Sequence, residues 1–286
     1  MNLNDSGDLL FYAITNGEAI TFHIVDLNNE VLYTQYKMVK FDLSDGMTNC
    51  AISSSLETLA FTYLYGSGID RLYVLTRKDK EFSSLAALGE ADLVSDLFVS
   101  SAGNAIYYNA KIFEEFELNG KPSGDYFYYS FAIYRDGDGW TKPVKLTVPN
   151  VEKPIIADVA QDGNLLLIKT GKKGIALTRK DQNGWSEPEY LDQAYDGRDR
   201  FKISENGKVL VYLIARKPYP DSRSAEITKY DIDLLIDKSK GIYEKKRLTK
   251  DNVSTYDGGY LLSPDGSRLF WRPMVWPSAI QGFLNR

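Results

Sequence analysis

Apolar residues along this chain gather in short runs that stop at clusters of Gly, Asn, Asp and Ser. Several runs lead out of a turn-forming segment: NDSGDLLFY from Asn4, SSAGNAIYY from Ser100, AQDGNLLLI from Ala160, SENGKVLVY from Ser204 and SPDGSRLFW from Ser263. Another, SSSLETLAF from Ser53, has Leu56 where the others have Gly, so its turn is expected to be of a different type or strained. The runs are enriched in Tyr, Phe, Val, Ile and Thr, and none sustains a helical period, so each reads as a strand.

Aligned on the turn glycine, the segments start at 4, 53, 100, 160, 204 and 263, and so are spaced by 49, 47, 60, 44 and 59 residues. The longer spacings come from extra polar sequence in the third and fifth units. Without it the period approaches the roughly 40–45 residues of a four-stranded propeller blade. Each unit repeats one internal order. An apolar strand ends at the turn (DLFVS, PIIADVA, RFKIS, GGYLLS) and a second follows it (LAFTYLYG, AIYYNAK, NLLLIKT, VLVYLIAR). A third alternates aromatics (RLYVLTR, SFAIYRD, GIALTRK, ITKYDIDL), and a short fourth ends near Leu-Thr or Leu-Asp (KPVKLT, SEPEYLD, KKRLT). Continuous apolar runs in the first two strands fit burial on both faces. The expected fold is all-β: a six-bladed β-propeller of four-stranded antiparallel blades at about 1–43, 44–88, 89–147, 148–192, 193–250 and 251–286. The last unit has no obvious fourth strand, which leaves an incomplete terminal blade or a chain belonging to a longer protein.

Composition narrows the function classes. Lys and Arg total 34 against 39 Asp and Glu, a net charge of −5, and the cations are scattered. Phosphate binding needs a basic stripe, so nucleic acid is not an expected partner. No apolar run approaches the roughly 18 residues of a membrane-spanning helix. The start, MNLNDSGDLL, lacks both a basic opening and an apolar core, so no signal peptide is read in it; the compartment stays open. The single cysteine, Cys50, lies in apolar NCAIS and reads as a buried inert thiol. The single histidine, His23, lies within the strand-like ITFHIVDL and has no triad partners, and a multi-histidine metal site is excluded. RDGDGW (Arg135–Trp140) lacks the Glu that would complete a calcium loop and suits a hairpin turn. GSGIDR (Gly66–Arg71) joins two strands rather than a strand to a helix, so it is not a phosphate loop.

The recurring turns resemble the Pro-Asp-Gly repeat of TolB-type β-propellers, relatives of WD40 domains. GWTKPVKL (Trp140–Leu146) and GWSEPEYL (Trp185–Leu191) resemble the Gly-Trp-x-x-Pro ending of outer strands in such propellers. The resemblance covers nearly the whole chain and implies fold rather than function, because the family spans partner-binding domains, peptidase gating domains and saccharide-active enzymes.

In a propeller, the loops between blades open on the same face as the loops between second and third strands. Two insertions follow second strands, at Asn109–Ser130 and Arg216–Glu226, and are expected on that face, opposite the Gly turns. Their aromatics Phe113, Phe116 and Tyr219, beside fixed charges, suit stacking on a sugar or anchoring a peptide. Alternatively they pack the insertions onto the ring, the expected role of Tyr126–Tyr129. The starts of the inner strands add Asn49, Asp96, Asp199 and Asp257, with Tyr195, Arg198 and Tyr256 just before, around the channel mouth. Converging carboxylates suit a divalent cation, a sugar or a basic peptide end; they also cap loops. No cofactor is called for beyond such a cation. The leading reading is a non-catalytic propeller binding a protein or saccharide on this face. A polysaccharide lyase or hydrolase using Asp96, Asp199, Asp257, Arg198 and Tyr256 is the rival, and a module of a larger envelope or scaffold protein is the third.

Overall fold

The computed structural model describes residues 2–3, 9–15, 20–26, 31–35, 46–65, 69–78, 81–91, 93–118, 121–171, 174–192, 198–215, 230–239, 242–248 and 255–273. Almost all of them are strand. The first sheet holds β1 (Asn2–Leu3), β2 (Leu9–Thr15), β3 (Ile20–Asp26) and β4 (Val31–Gln35); the second holds β5 (Gly46–Ile52), β6 (Thr58–Tyr65), β7 (Ile69–Lys78) and β8 (Glu81–Ala91). The third is built from β9 (Leu93–Val99), β10 (Ala105–Leu118), β11 (Lys121–Asp136), β12 (Gly139–Trp140) and β13 (Val144–Lys145). The fourth has β14 (Ile155–Ala160), β15 (Leu165–Lys169), β16 (Ile175–Asp181), β17 (Gly184–Trp185) and β18 (Glu189–Asp192). The last unites β19 (Arg198–Ile203), β20 (Val209–Ala215), β21 (Tyr230–Ser239), β22 (Ile242–Arg247), β23 (Thr255–Leu262) and β24 (Leu269–Pro273), because Tyr230 pairs with Thr255. The fifth and sixth repeat units therefore share one sheet among the described residues. Residues 277–286, read as the third strand of the last unit, lie outside them. The expected boundary after 88 also moves, because β8 runs to Ala91 and β9 begins at Leu93.

Pairing is antiparallel throughout, and the first strands of successive units lie side by side: β5 with β9, β9 with β14, β14 with β19, β19 with β23, and β23 with β1. This radial arrangement is that of a β-propeller. The core lies between the sheets. Leu165, Leu166, Leu167 and Ile168 are each 0% exposed: Leu166 and Ile168 meet Ala105, Tyr107 and Ala132 of the third sheet, while Leu165 and Leu167 meet Phe201, Leu210 and Tyr212 of the last. A middle sheet is covered on both faces, which is why its inner strands read as unbroken apolar runs rather than alternations. The outer edge is made in two pieces. Trp140 and Val144 both pair with β11, and Trp185 and Glu189 with β16; Pro143 and Pro188 sit in the break, where a residue without N–H cannot extend the ladder.

The repeated turn explains the spacing of its residues. Ser53, Ser100, Ser204 and Ser263, each 0–1% exposed, turn their hydroxyls back to accept backbone N–H bonds from Thr58, Ala105, Val209 and Arg268 at 2.8–3.0 Å. The glycines three residues on have φ of 72° to 75° at Gly103, Gly207 and Gly266, and Leu56 takes the same left-handed conformation at φ 60°. Leu56 N–H still donates to the Ser53 carbonyl at 2.9 Å, as Gly103 does to Ser100. The second unit thus keeps the turn and bears the strain, offset by burial of the leucine. The Arg135–Trp140 segment is a tight hairpin, with Asp136 paired to Gly139, and His23 pairs with Tyr12 and Thr34 within the first sheet.

The glycines also meet the preceding unit. A Cβ on Gly103 would lie 2.6 Å from Thr58 Oγ1, one on Gly207 2.6 Å from Leu165 Cδ2, and one on Gly266 2.8 Å from Val209 Cγ2. Gly137, at φ 56°, has nothing within 4 Å of the same point. Gly103→Ala is therefore expected to cost about 2–4 kcal/mol, backbone strain plus displacement of Thr58. Gly137→Ala should cost about 1 kcal/mol, strain alone. Urea unfolding midpoints of the two variants measure the difference, and equal losses would mean that the turns do not press on one another.

Candidate functional site

The third-unit insertion is a β-ribbon, not a loop. β10 and β11 stay paired from Ala105↔Tyr134 to Leu118↔Lys121, whereas β9 leaves β10 at Lys111↔Leu93. Beyond that point the pairs Ile112↔Phe127 to Leu118↔Lys121 continue as two strands alone, about 20 Å of ribbon at strand rise. It extends from the end of the sheet where β9 starts; the Ser100–Asn104 turn is at the other end. In the last sheet Arg198 pairs with Ile214 and Ala215 with Tyr230, so the segment carrying the second insertion leaves its sheet at the corresponding end. Residues 216–229, with Tyr219, lie outside the described residues.

Cross-strand partners share a face, so the ribbon sorts its side chains into two. One face carries Ile112, Glu114, Phe116, Leu118, Asp125, Phe127 and, toward the sheet, buried Tyr129. Cations of the same chain cover part of it: Lys153 Nζ lies 3.7 Å from the Phe127 ring centroid and Lys145 Nζ 3.3 Å from that of Tyr129. The Glu114 carboxylate accepts a hydrogen bond from the Tyr129 hydroxyl and, with burial, pushes that hydroxyl up to about 12. The other face carries Lys111, Phe113, Glu115, Glu117, Tyr126 and Tyr128, with Phe113 45%, Tyr126 47% and Tyr128 43% exposed. Phe113 and Tyr126 meet edge to face at 5.1 Å, Lys111 Nζ stands 4.6 Å over the Tyr126 ring, and Phe113 lies across Gly124, where a Cβ would come within 2.2 Å of it. Phe116, on the first face, is 40% exposed. The expectation that Tyr126–Tyr129 pack inward holds for Tyr129 and in part for Phe127; alternation turns Tyr126 and Tyr128 outward. Asn119-Gly120 between alternating partners was the sequence signal for this hairpin.

The mouth residues lie on the first strands: Asn49 on β5, Asp96 on β9, Arg198 and Asp199 on β19, Tyr256 and Asp257 on β23. Tyr195 is outside the described residues. Asn49 and Asp96 have structural partners. Asn49 Nδ2 donates to the Val94 carbonyl at 2.6 Å, while Asp70 Oδ2 accepts from Val94 N–H at 2.7 Å. The second sheet thus clamps both polar groups of one residue of the third. The device recurs one sheet on, where fully buried Asn109 takes Ile156 N–H on Oδ1 at 3.0 Å and gives Nδ2 to the Ile156 carbonyl at 2.7 Å and to Asp96 Oδ2 at 2.9 Å. Asp96 is the exposed end of this network. Asn109 was legible only as the first residue of an insertion.

Toward the turn end of the channel is a cavity of about 160 Å³, lined by Cys50, Leu97, Asp158, Lys202, Glu205 and Pro264 among others. Its carboxylates are engaged: Asp158 with Lys202 Nζ at 3.0 Å and Ile203 N–H at 2.8 Å, Glu205 with Ser101 Oγ at 2.8 Å and with Asp162 N–H. Among the described residues no three His, Cys, Asp or Glu side chains gather to hold a metal ion, and no helix is long and apolar enough to cross a membrane. Burial pushes the Cys50 thiol up to about 12.

No protein-family model matches this chain, and no curated protein matches it. Solved structures do. TolB from Acinetobacter baumannii superposes with a TM-score of 0.59 at 14% identity, over 99% of this chain and 62% of that one, so the chain spans under two thirds of its length. The Myceliophteria thermophila Cps50 (Swd1) β-propeller domain gives a TM-score of 0.55 at 12% identity, covering 99% of this chain and 84% of that chain. Oligogalacturonate lyase from Vibrio parahaemolyticus gives 0.55 at 12% identity, covering 94% and 72%. These likenesses establish the fold.

Asn109→Ala removes a buried group with several partners and is expected to cost about 3 kcal/mol in urea unfolding, against about 1 kcal/mol or less for exposed Asp96→Ala. At pH 8 a thiol with its pKa near 12 is about 10⁻⁴ ionised, so native Cys50 should resist iodoacetamide for hours and label within minutes in urea. Mass spectrometry reads the outcome, and rapid native labelling would contradict the raised pKa.

Proposed function

We propose that this chain is a non-catalytic binding propeller that engages its ligand at the end of the ring bearing the 112–127 ribbon. The observation that carries this reading is the ribbon itself: Phe113, Phe116, Leu118, Tyr126 and Tyr128 are 40–57% exposed, and the projecting residues 113–126 lie outside the core clusters between the third sheet and its neighbours. Large apolar groups concentrated on one projecting element mark an interaction site more often than a packing residue. In the same reading the six repeat units are six blades, and Arg198, Asp199, Tyr256 and Asp257, on first strands at the adjoining mouth, extend the contact. Asn49 and Asp96 support that mouth rather than touch the ligand, in keeping with the bonds they make to Val94 and Asn109. The ligand classes that suit aromatic and acidic groups together are a protein segment and a saccharide.

The test replaces 113–126 by Asn-Gly, which closes the hairpin on the existing Ile112↔Phe127 pair and spares the sheet. The variant should unfold within about 1 kcal/mol of the parent, since the removed residues pair with no third strand. On peptide and glycan arrays it should lose the ligands the parent retains. Identical array profiles for the two proteins would overturn the reading, and so would a turnover abolished by Asp199→Asn or Asp257→Asn.

A further inference from the structure

Resting on that reading, we infer that the ligand is a cationic protein segment, held by its Lys or Arg side chains on the ribbon face formed by Phe113, Tyr126, Tyr128, Glu115 and Glu117. Three observations point to this chemistry. First, the face is open: its three rings are 43–47% exposed and both carboxylates are exposed. Second, its charge is one-sided, two carboxylates against the single ammonium of Lys111. Third, the chain's own cations already occupy rings of this ribbon. Lys111 sits 4.6 Å over Tyr126, and on the opposite face Lys153 and Lys145 sit 3.7 Å and 3.3 Å from Phe127 and Tyr129.

A ring's negative face attracts an ammonium or guanidinium, and a neighbouring carboxylate adds a charge-assisted hydrogen bond to the same group. The covered face shows how such rings are satisfied within the molecule, by lysines from the adjoining loop and outer strand. The open face has the same kind of rings with acids in the next cross-strand rows, at Glu115 and Glu117, and Lys111 over Tyr126. Basic side chains at alternate positions of an extended segment would follow the ribbon's own two-residue repeat, row by row. A neutral saccharide uses the rings and leaves the carboxylate charge unanswered; an acidic one is repelled by it.

Fluorescence anisotropy with a labelled twelve-residue peptide alternating Arg and Ser, and its Glu-Ser counterpart, tests the inference on the full chain. The Arg-Ser peptide should bind and the Glu-Ser peptide should not. Replacing 113–126 by Asn-Gly should weaken Arg-Ser binding about ten-fold or more, and Phe113→Leu with Tyr126→Leu, which alters no charge, about three- to ten-fold. Glu115→Gln with Glu117→Gln should weaken it about five-fold, while Asp136→Asn with Asp138→Asn, exposed at the far end of β11, should leave it unchanged. An equal effect of the two acid pairs would reduce the attraction to net charge and overturn the inference. If the Arg-Ser peptide fails to bind while array ligands still depend on the ribbon, the cationic ligand falls and the binding propeller stands. If the peptide binds the parent and the shortened ribbon alike, the inference falls; if array ligands too are indifferent to the ribbon, the binding propeller falls with it.

Discussion

Successive sheets of this propeller are spaced by the contact between one turn and the next. Where a described turn carries glycine, that glycine presses on the previous unit, so that no side chain fits between Gly103 and Thr58, Gly207 and Leu165, or Gly266 and Val209. Hydrogen bonds run along the same belt: Ser55 N–H to the Ser101 carbonyl at 3.0 Å, Gln161 N–H to that of Glu205 at 3.0 Å, and Glu205 N–H to that of Pro264 at 2.6 Å. Tyr107 adds its buried hydroxyl, donated to the Gly163 carbonyl at 2.8 Å. The sheets are brought close enough for their apolar faces to interlock, and the ring then has one radius. At the opposite end the neighbouring strand is gripped by side chains instead, Asn49 and Asp70 on Val94, Asn109 and Ser130 on Ile156. A blade fixed by backbone contacts at one end and polar clamps at the other needs no long-range pairing between sheets.

This division decides what was legible in the sequence. The turn end could be read because its constraint falls on the backbone, where Gly and Ser meet it cheaply; Ser and Gly therefore return together at Ser100–Gly103, Ser204–Gly207 and Ser263–Gly266. Leu56 is instructive. Its departure from Gly suggested a changed or strained turn, and strain is what occurs, since neighbouring bonds hold the left-handed backbone while burial of the side chain offsets the cost. The clamps were not legible as such. Asn49 reads equally as a clamp or as a ligand group, because an amide aimed at the next sheet and an amide aimed at a ligand have the same sequence; the position of Val94 shows the bond it makes. Asn109 and Ser130, directly paired on neighbouring strands, were hidden at the two ends of what read as an insertion.

The ribbon was misread for a related reason. Its acidic and aromatic residues mix apolar and charged positions, which resembles a loop when each residue is judged alone. The two-residue period becomes visible only once the Asn119-Gly120 turn is used to fold one half onto the other, bringing Phe113 opposite Tyr126 and Glu115 opposite Gly124. A strand pair needs no third strand to hold this shape over seven rows when aromatic partners bridge it, and the edge-to-face contact of Phe113 with Tyr126 is such a bridge.

The contrast between the ribbon and the channel bears most directly on function. Both bring carboxylates together, but they leave them in different states. In the channel, Asp158 and Glu205 accept bonds from Lys202, Ile203, Ser101 and Asp162, so their charge is balanced by the fold and a ligand there would have to displace structural partners. On the open ribbon face, Glu115 and Glu117 sit among exposed rings on an element whose removal would leave the sheet contacts of β9 and β11 in place. Catalysis requires acids held rigidly where water is excluded; binding by a projecting arm requires apolar area and charge that the fold itself does not consume. Among the described residues the exposed rings and acids of the ribbon suit the second condition, in keeping with the proposed binding role.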